Sequence, residues 1–258
     1  MINLDRVKHE FNKFVDKFDS NDGKIRLKIV HTYGVVAMSK YIAENLNLSN
    51  EDIELAQLIA YLHDIARFPQ ARDFGDYRDY KTFDHADLAC QMLFEQGMIR
   101  TFIEDDTYDS IIAKAIKNHN KFSIEKGLNR KELLHAQLIK DADKLDNFRV
   151  KINHDFESIL NTTKNKLEND VISKEIYNQF MNNQLIISSE RKTDLDCWVS
   201  YIAFIFDINF TATFSYIKEH DYINLLCNRI DYKRIDTLEA MEKIRIHALE
   251  YIDKWGIK

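Results

Sequence analysis

The scarcity of glycine and proline is the feature that most constrains the fold of this chain. Its 258 residues include 6 glycines and 1 proline, whereas average usage predicts about 18 and about 13. Sandwiches and barrels need turn residues at roughly every 8–12 positions, and dinucleotide-binding and P-loop sites need clusters of glycine. The composition therefore predicts an all-α fold and excludes these β folds and glycine-rich phosphate loops.

The remaining composition limits the class of protein. Hydrophobic residues make up 45% of the chain and charged residues 30%, which excludes bulk disorder. The net charge of −6, without a clustered basic run, argues against a nucleic-acid-binding surface. Three cysteines without a CxxC pair indicate free thiols in a reducing compartment, and the longest apolar run, 198–206, is too short to cross a bilayer. We therefore expect a cytoplasmic protein without a membrane segment.

The spacing of apolar residues predicts a succession of helices and three parts of the chain. Pro69 and Gly75 bracket an aromatic, charged stretch that predicts a loop over 68–83. We expect an N-terminal helix within 1–24 that packs on the core, a functional core at 25–150, and an α-helical extension at 151–258. The predicted helices cover 4–18, 22–45, 50–67, 84–96, 107–118, 130–147, 171–182, 194–217 and 235–254.

Several histidines and acids fall on the apolar, inward faces of these helices. His31 shares a helical stripe with apolar residues, the pair His63-Asp64 ends a buried helix, and His119 ends another apolar pattern. Asp143 lies among acids that interrupt the apolar face of a later helix. A buried ionised carboxylate costs several kcal/mol unless it is paired or bound to a metal. Imidazole and carboxylate together are ligands that Zn, Mn and Fe accept, so the pattern indicates a metal site.

These residues stand in the order H…HD…D over about residues 25–150. His31, His63-Asp64 in LIAYLHDIARFPQ and Asp143 in KDADKLDNF carry the pattern, which resembles the signature of the HD-domain metal-dependent phosphohydrolases. The resemblance implies an all-α helical bundle with a helical C-terminal extension here. It also implies that His31, His63, Asp64 and Asp143 bind a divalent metal, for which Mn, Mg, Fe, Zn and Ni are all candidates.

Two more histidines bear on the number of ions. His85 and His119 lie in regions where similar histidines hold a second metal in the HD-GYP and cyclic-nucleotide phosphodiesterase branches of the family. That resemblance implies that Asp64 bridges two ions. The chain departs from those branches because it lacks the GYP motif and has Asn120 where HD-GYP proteins carry another histidine. One ion, with His85 orienting another group, and two ions both remain open.

Further residues are candidates for catalysis and substrate binding. Asp64 is a candidate catalytic residue as well as a metal ligand. Lys144 is a candidate phosphate contact or proton donor, although a solvated lysine late in a helix is an equally good interpretation. Basic residues in 67–83 predict a cationic rim around the site that recognises the phosphate of the substrate. Interleaved acids allow mutual surface pairing instead. The predicted substrate-binding residues are Arg67, Arg72, Arg78, Lys81 and Lys144.

The resemblance implies hydrolysis of a nucleotide or other small phosphoester by a metal-activated water. A di-iron HD-fold oxygenase and a nucleotide-binding regulatory module without turnover are the alternatives. The expected partner is a small anionic phosphorylated substrate. The aromatic segment 196–217 predicts packing against the rest of the chain or against a second copy in a homodimer.

Overall fold

The computed structural model describes residues 2–256, without the side chain of Tyr80. Within those residues the regular structure is helical and contains no strand, which confirms the all-α prediction. No helix in this part of the chain has both the length and the apolar character that a membrane span needs. The chain forms two compact units, one up to Asp143 and one from Lys144 onward. The predicted boundaries at residues 24 and 150 stay predictions.

The first unit is built from helices that the apolar periodicity largely predicts. Side-chain caps mark the starts of several, such as Asp22 before the second helix and Ser49 before the third. A π-helical turn, Gln91–Glu95, and a 3₁₀ turn, Asp79–Lys81, complete the regular structure. The α-helices are α1 (Leu4–Val15), α2 (Gly23–Asn45), α3 (Asn50–Leu62), α4 (Arg67–Phe74), α5 (His85–Cys90), α6 (Ile99–Phe102), α7 (Asp109–His119) and α8 (Arg130–Asn153), which contains the division between the units.

The predicted loop over 68–83 is wrong in its first half, because Arg67–Phe74 is helix α4. Pro69 lies in the first turn of α4, where a missing backbone N–H costs nothing because it has no helical partner. Gly75 ends the helix in the left-handed conformation, with φ of 59°, which favours glycine. Gly75 is therefore a helix cap. The segment between α4 and α5, which contains the 3₁₀ turn Asp79–Lys81, is limited to 75–84.

An aromatic cluster holds α1, α2, α3 and α4 together. The ring of Phe11 lies 5.4 Å from that of Tyr61, 5.9 Å from that of Phe68 and 6.0 Å from that of Tyr33. Phe11 and Phe68 are fully buried. These separations suit edge-to-face and tilted packing of aromatic rings. The cluster fixes the relative position of α2, which carries His31, and α3, which is followed directly by His63 and Asp64.

The second unit is also helical, and one of its helices is shorter than predicted. The helix expected over 194–217 stops at Ile202, continues as a 3₁₀ turn over Ala203–Asp207 and resumes at Thr211. Asp207 and Asn209 fall in the break, and both residue types favour turns through local backbone hydrogen bonds. The α-helices here are α9 (Phe156–Leu160), α10 (Lys164–Asn169), α11 (Lys174–Met181), α12 (Asp194–Ile202), α13 (Thr211–Glu219), α14 (Tyr222–Cys227) and α15 (Ile235–Trp255).

Candidate metal centre

Five segments of the first unit bring the six predicted metal ligands into one cluster. Helix α2 carries one, the turn after α3 carries two, α5 begins with one, α7 ends with one and α8 carries the last. The four histidines and Asp64 are almost completely buried, whereas the side chain of Asp143 keeps 22% of its surface exposed. The cluster consists of His31, His63, Asp64, His85, His119 and Asp143.

Asp64 lies at the centre, with each carboxylate oxygen facing a different pair of histidines. Its Oδ2 is 3.8 Å from Nε2 of His31 and 3.3 Å from Nε2 of His63. Its Oδ1 is 3.2 Å from Nε2 of His85 and 3.5 Å from Nε2 of His119. The ligand atoms in each half lie within 4.8 Å of one another. Asp64 is therefore shared between two groups, each of which could hold a cation.

Asp143 joins the half that contains His31 and His63. Its Oδ1 lies 3.0 Å from Nε2 of His31 and 3.8 Å from Nε2 of His63. Burial raises the pKa of the Asp143 carboxyl, but the hydrogen bond from His31 is the largest of the contributions that outweigh it, so the pKa lies below its ordinary value. The carboxylate is ionised at neutral pH and can serve as a ligand.

Hydrogen bonds on the far side of three imidazoles orient their Nε2 atoms toward the cluster. The Nδ1 of His63 donates to the carbonyl oxygen of Ala60 at 2.7 Å, and that of His119 donates to the carbonyl oxygen of Ile116 at 2.6 Å. The Nδ1 of His85 donates to Oδ2 of Asp79 at 2.6 Å. A histidine that donates from Nδ1 presents a lone pair at Nε2, the arrangement of metal-binding histidines.

The strongest indication of a cation lies between His85 and His119. Their Nε2 atoms are 3.0 Å apart, and since both rings donate from Nδ1, two neutral imidazoles direct lone pairs at each other there unless a proton or a metal ion lies between them. A shared cation removes that repulsion, and the spacing suits two nitrogen ligands of one ion at about 2.0–2.1 Å each. The buried Nε2 of His63 and Oδ1 of Asp64 also lack a hydrogen-bond partner. Buried imidazole nitrogens and carboxylate oxygens without hydrogen-bond partners are suitable ligands for a divalent metal.

Two basic side chains border Asp64. The Nζ of Lys28 lies 2.5 Å from Oδ2, and Nε of Arg67 lies 3.5 Å from Oδ1. Burial raises the pKa of the Asp64 carboxyl, but the basic neighbours, with the charge of Lys28 the largest contribution, hold that pKa well below its usual range. Lys28 is absent from the residues predicted from sequence, although its position three residues before His31 places it on the same face of α2.

The segment 75–84 is tied to the cluster through Asp79. Besides His85, this half-buried carboxylate accepts a hydrogen bond from Nη1 of Arg67 at 2.7 Å and one from Nε2 of Gln70 at 3.2 Å. The same Nη1 of Arg67 also donates to the carbonyl oxygen of Tyr77 at 2.5 Å. From the sequence, Asp79 is one of the interleaved acids that could pair with surface bases. No local signal separates it from the other acids of the segment, so its role in orienting His85 emerges only from the fold.

The other basic residues of the rim predicted over 67–83 lie at the surface. Arg72 pairs with Asp73 at 2.6 Å, and Arg78 pairs with Asp76 at 2.5 Å. Lys81 is exposed. Of the predicted basic rim, Arg67 is the residue that the structure brings next to Asp64. Phosphate recognition by the three others stays a prediction.

Lys144 is the first residue of the second unit, and the structure pairs it with an acid. Its Nζ lies 2.8 Å from Oδ2 of Asp207, and 8% of its side chain is exposed. The interpretation as a solvated lysine is therefore wrong. Its role in binding phosphate or donating a proton stays a prediction. Asp146, one turn further along α8, is buried and accepts a hydrogen bond from Arg149 at 2.6 Å.

A comparison with protein-family models matches residues 29–147 to the HD domain, which confirms the resemblance drawn from the H…HD…D pattern. The matched range begins two residues before His31 and ends four residues after Asp143, so it contains the whole cluster. Neither the search of curated proteins nor the search of solved structures found a significant match to this chain.

Proposed function

Since residues 29–147 form an HD domain, we propose that this protein is a metal-dependent phosphohydrolase that acts on a nucleotide or another small phosphoester. The observation that carries the proposal is the buried carboxylate of Asp64, whose two oxygens face two separate pairs of histidine nitrogens. Carboxylates of this kind bridge metal ions in hydrolytic sites with two metals. The domain and the donor set support the same chemistry.

In this proposal the cluster holds two divalent ions. His31, His63 and Asp143 would hold one ion, His85 and His119 would hold the other, and Asp64 would serve both groups. Ions of this class would lower the pKa of a bound water and polarise the phosphoryl group, whose phosphorus atom is the one attacked in hydrolysis. The protein's own contribution is orientation: the Nδ1 hydrogen bonds of the histidines fix where each Nε2 points.

The charge around the cluster supports an anionic substrate. Arg67 places its guanidinium against Asp64 at the base of the segment 75–84, and planar guanidinium groups bind phosphate oxygens through paired hydrogen bonds. The three cysteines are free, which supports a reducing, cytoplasmic location. A nucleotide substrate, this location and a homodimeric assembly are parts of the proposal. Light scattering of the purified protein tests the assembly.

Metal analysis and a hydrolysis panel test the proposal together. The purified protein should contain about two divalent ions per chain and hydrolyse members of a panel of nucleotides and phosphoesters after loading with Mn²⁺. His63→Ala and Asp64→Ala should lose metal and hydrolysis while the helical circular dichroism is kept. His9→Ala is the matched control, because 69% of the His9 side chain is exposed. Unchanged metal content in His63→Ala and Asp64→Ala would reject the site.

The same donors suit a different reaction. Histidine and carboxylate ligands bind iron as readily as they bind manganese, so a di-iron oxygenase acting on a small substrate is the second candidate. Iron in the purified protein, with O₂ consumption and no hydrolysis, would favour it. Tight binding of a nucleotide without either reaction would instead identify a regulatory module.

A further inference from the structure

The position of Lys28 suggests a role that the metal ligands do not cover. We propose that Lys28 neutralises Asp64 while the metal site is empty and binds the phosphate of the substrate once a metal has displaced it. This inference rests on the proposed phosphohydrolase function. It adds a substrate-binding residue and identifies the recognised group as a phosphoryl oxygen next to His31 and Asp64.

Lys28 and a metal ion would compete for one oxygen atom. The Nζ of Lys28 lies 2.5 Å from Oδ2 of Asp64, and this is the oxygen that faces Nε2 of His31 and His63. A divalent ion bound by that oxygen and by the two histidines would place its charge next to the ammonium group. Like charges repel strongly at such distances inside a protein. Lys28 must therefore leave Oδ2 when the ion binds.

In its observed position Lys28 pairs with Asp64 alone. Within residues 2–256, Asp64 is the one carboxylate within 4.0 Å of its Nζ. The side chain is 16% exposed, so it reaches the edge of the cluster, and it lies over the ring of Tyr77 at 5.5 Å. The guanidinium of Arg67 lies 5.7 Å from the same ring. Tyr77 thus contacts two cations. Arg67 stays paired with Asp79, whereas the charge of Lys28, once a metal has displaced it, suits an anion.

The ligand that meets these cations is a phosphoryl group. A lysine ammonium is a compact point charge with three donors on a flexible stem, and it binds phosphate oxygens without a fixed approach direction. Such a side chain can move from a carboxylate oxygen to a phosphate oxygen through rotation about its own bonds. Lys28 would then offset the charge of a substrate placed against the ions.

Two titrations test this without requiring turnover. For Lys28→Met, which keeps the length of the side chain and removes its charge, the affinity for Mn²⁺ should rise about 10-fold because the competing cation is gone. Inorganic phosphate should bind the Mn²⁺-loaded variant about 10- to 100-fold more weakly than it binds the loaded wild type. Calorimetry measures both. Lys24→Met is the control, since Lys24 lies one turn earlier on α2 and donates to the carbonyl oxygen of Gly75.

An unchanged or weakened Mn²⁺ affinity in Lys28→Met would overturn the proposal, and so would unchanged phosphate binding. If Lys28→Met does not fold, the same two titrations are made with Lys28→Gln, because glutamine keeps a hydrogen-bond donor for Asp64 without the charge. The same results would then support or overturn the proposal. The proposed function fails separately: wild-type protein that binds Mn²⁺ but hydrolyses nothing in the panel would reject the reaction, whereas the titrations judge Lys28 alone.

Discussion

Replacing Asp79 by alanine should weaken the binding of the ion proposed at His85 and His119 and leave the other ion in place. Asp79 accepts the hydrogen bond from Nδ1 of His85 at 2.6 Å, whereas Nδ1 of His63 and His119 donate to backbone carbonyl oxygens that the substitution does not touch. Without its acceptor, the His85 ring can rotate, and its Nε2 loses the fixed orientation that a metal requires.

The size of the effect follows from two of the interactions that Asp79 makes, those with His85 and with Arg67. Removing one group that orients a metal ligand typically costs about 10- to 100-fold in metal affinity, which corresponds to about 1.4–2.7 kcal/mol. We expect the upper part of this range, because Asp79→Ala also removes the partner of Arg67 at 2.7 Å. That leaves an uncompensated cation beside the ion.

Calorimetric titration of metal-free protein with Mn²⁺, together with metal analysis after gel filtration, measures the effect. The wild type should take up about two ions, and Asp79→Ala should retain one at the wild-type affinity. Asp73→Ala is the matched control, since it removes the same charge from a residue that pairs with the exposed Arg72. Two ions bound by Asp79→Ala with unchanged affinities would refute the argument that Asp79 orients His85 for a metal.

Other substitutions test neighbouring contacts. Arg72→Ala and Arg78→Ala should each lower kcat/KM for an anionic substrate by about 10-fold if a charged hydrogen bond to phosphate is lost, and steady-state kinetics at unchanged metal content checks this. The hydrogen bond from Arg78 lowers the pKa of Asp76 from 3.8 to about 2, so their pairing stabilises the fold above about pH 4 and is lost as the pH falls through about 2. In Arg78→Ala the pKa of Asp76, followed by NMR, should return toward 3.8, with less than about 1 kcal/mol of stability lost at neutral pH. Asp84 accepts from the backbone N–H of Ala86 at 2.9 Å at the start of α5; Asp84→Ala should lower the free energy of unfolding in urea by about 1–2 kcal/mol, and Asp84→Asn by less, because asparagine also caps helices.

The sequence predicts the long helices well because their apolar periodicity extends over many turns. Helix α2 ends at Asn45 as expected, and α15 covers Ile235–Trp255. Short helices carry too few turns for the period to be visible. Helix α4 has 8 residues and contains a proline, so its local composition resembles that of a loop. Its conformation depends on the packing of Phe68 against Phe11, a contact that local sequence cannot show.

Five residues of the candidate centre stand out in the sequence because they lie on an inward face or at the end of an apolar helix. His85 is selected from the resemblance to the HD-domain family, which also implies the ligand roles. The structure brings all six together, while their role as metal ligands stays a proposal. Lys28 and Asp79 were missed for different reasons. The contact of Lys28 with Asp64 requires α2 to pack against the turn after α3. Asp79 resembles Asp73 and Asp76 in its local sequence, and only the folded chain places its carboxylate against His85.

The distribution of the six side chains along the sequence has a consequence for unfolding. They come from separate segments between His31 and Asp143, so ions held by them would cross-link the chain as a disulfide does. Closing a loop of about 100 residues removes unfolded-state entropy worth roughly 4–5 kcal/mol. Only the adjacent pair His63 and Asp64 closes no loop. The free energy of metal binding would thus add to the free energy of folding of the unit that ends at Asp143. Loss of the ions would loosen five segments at once.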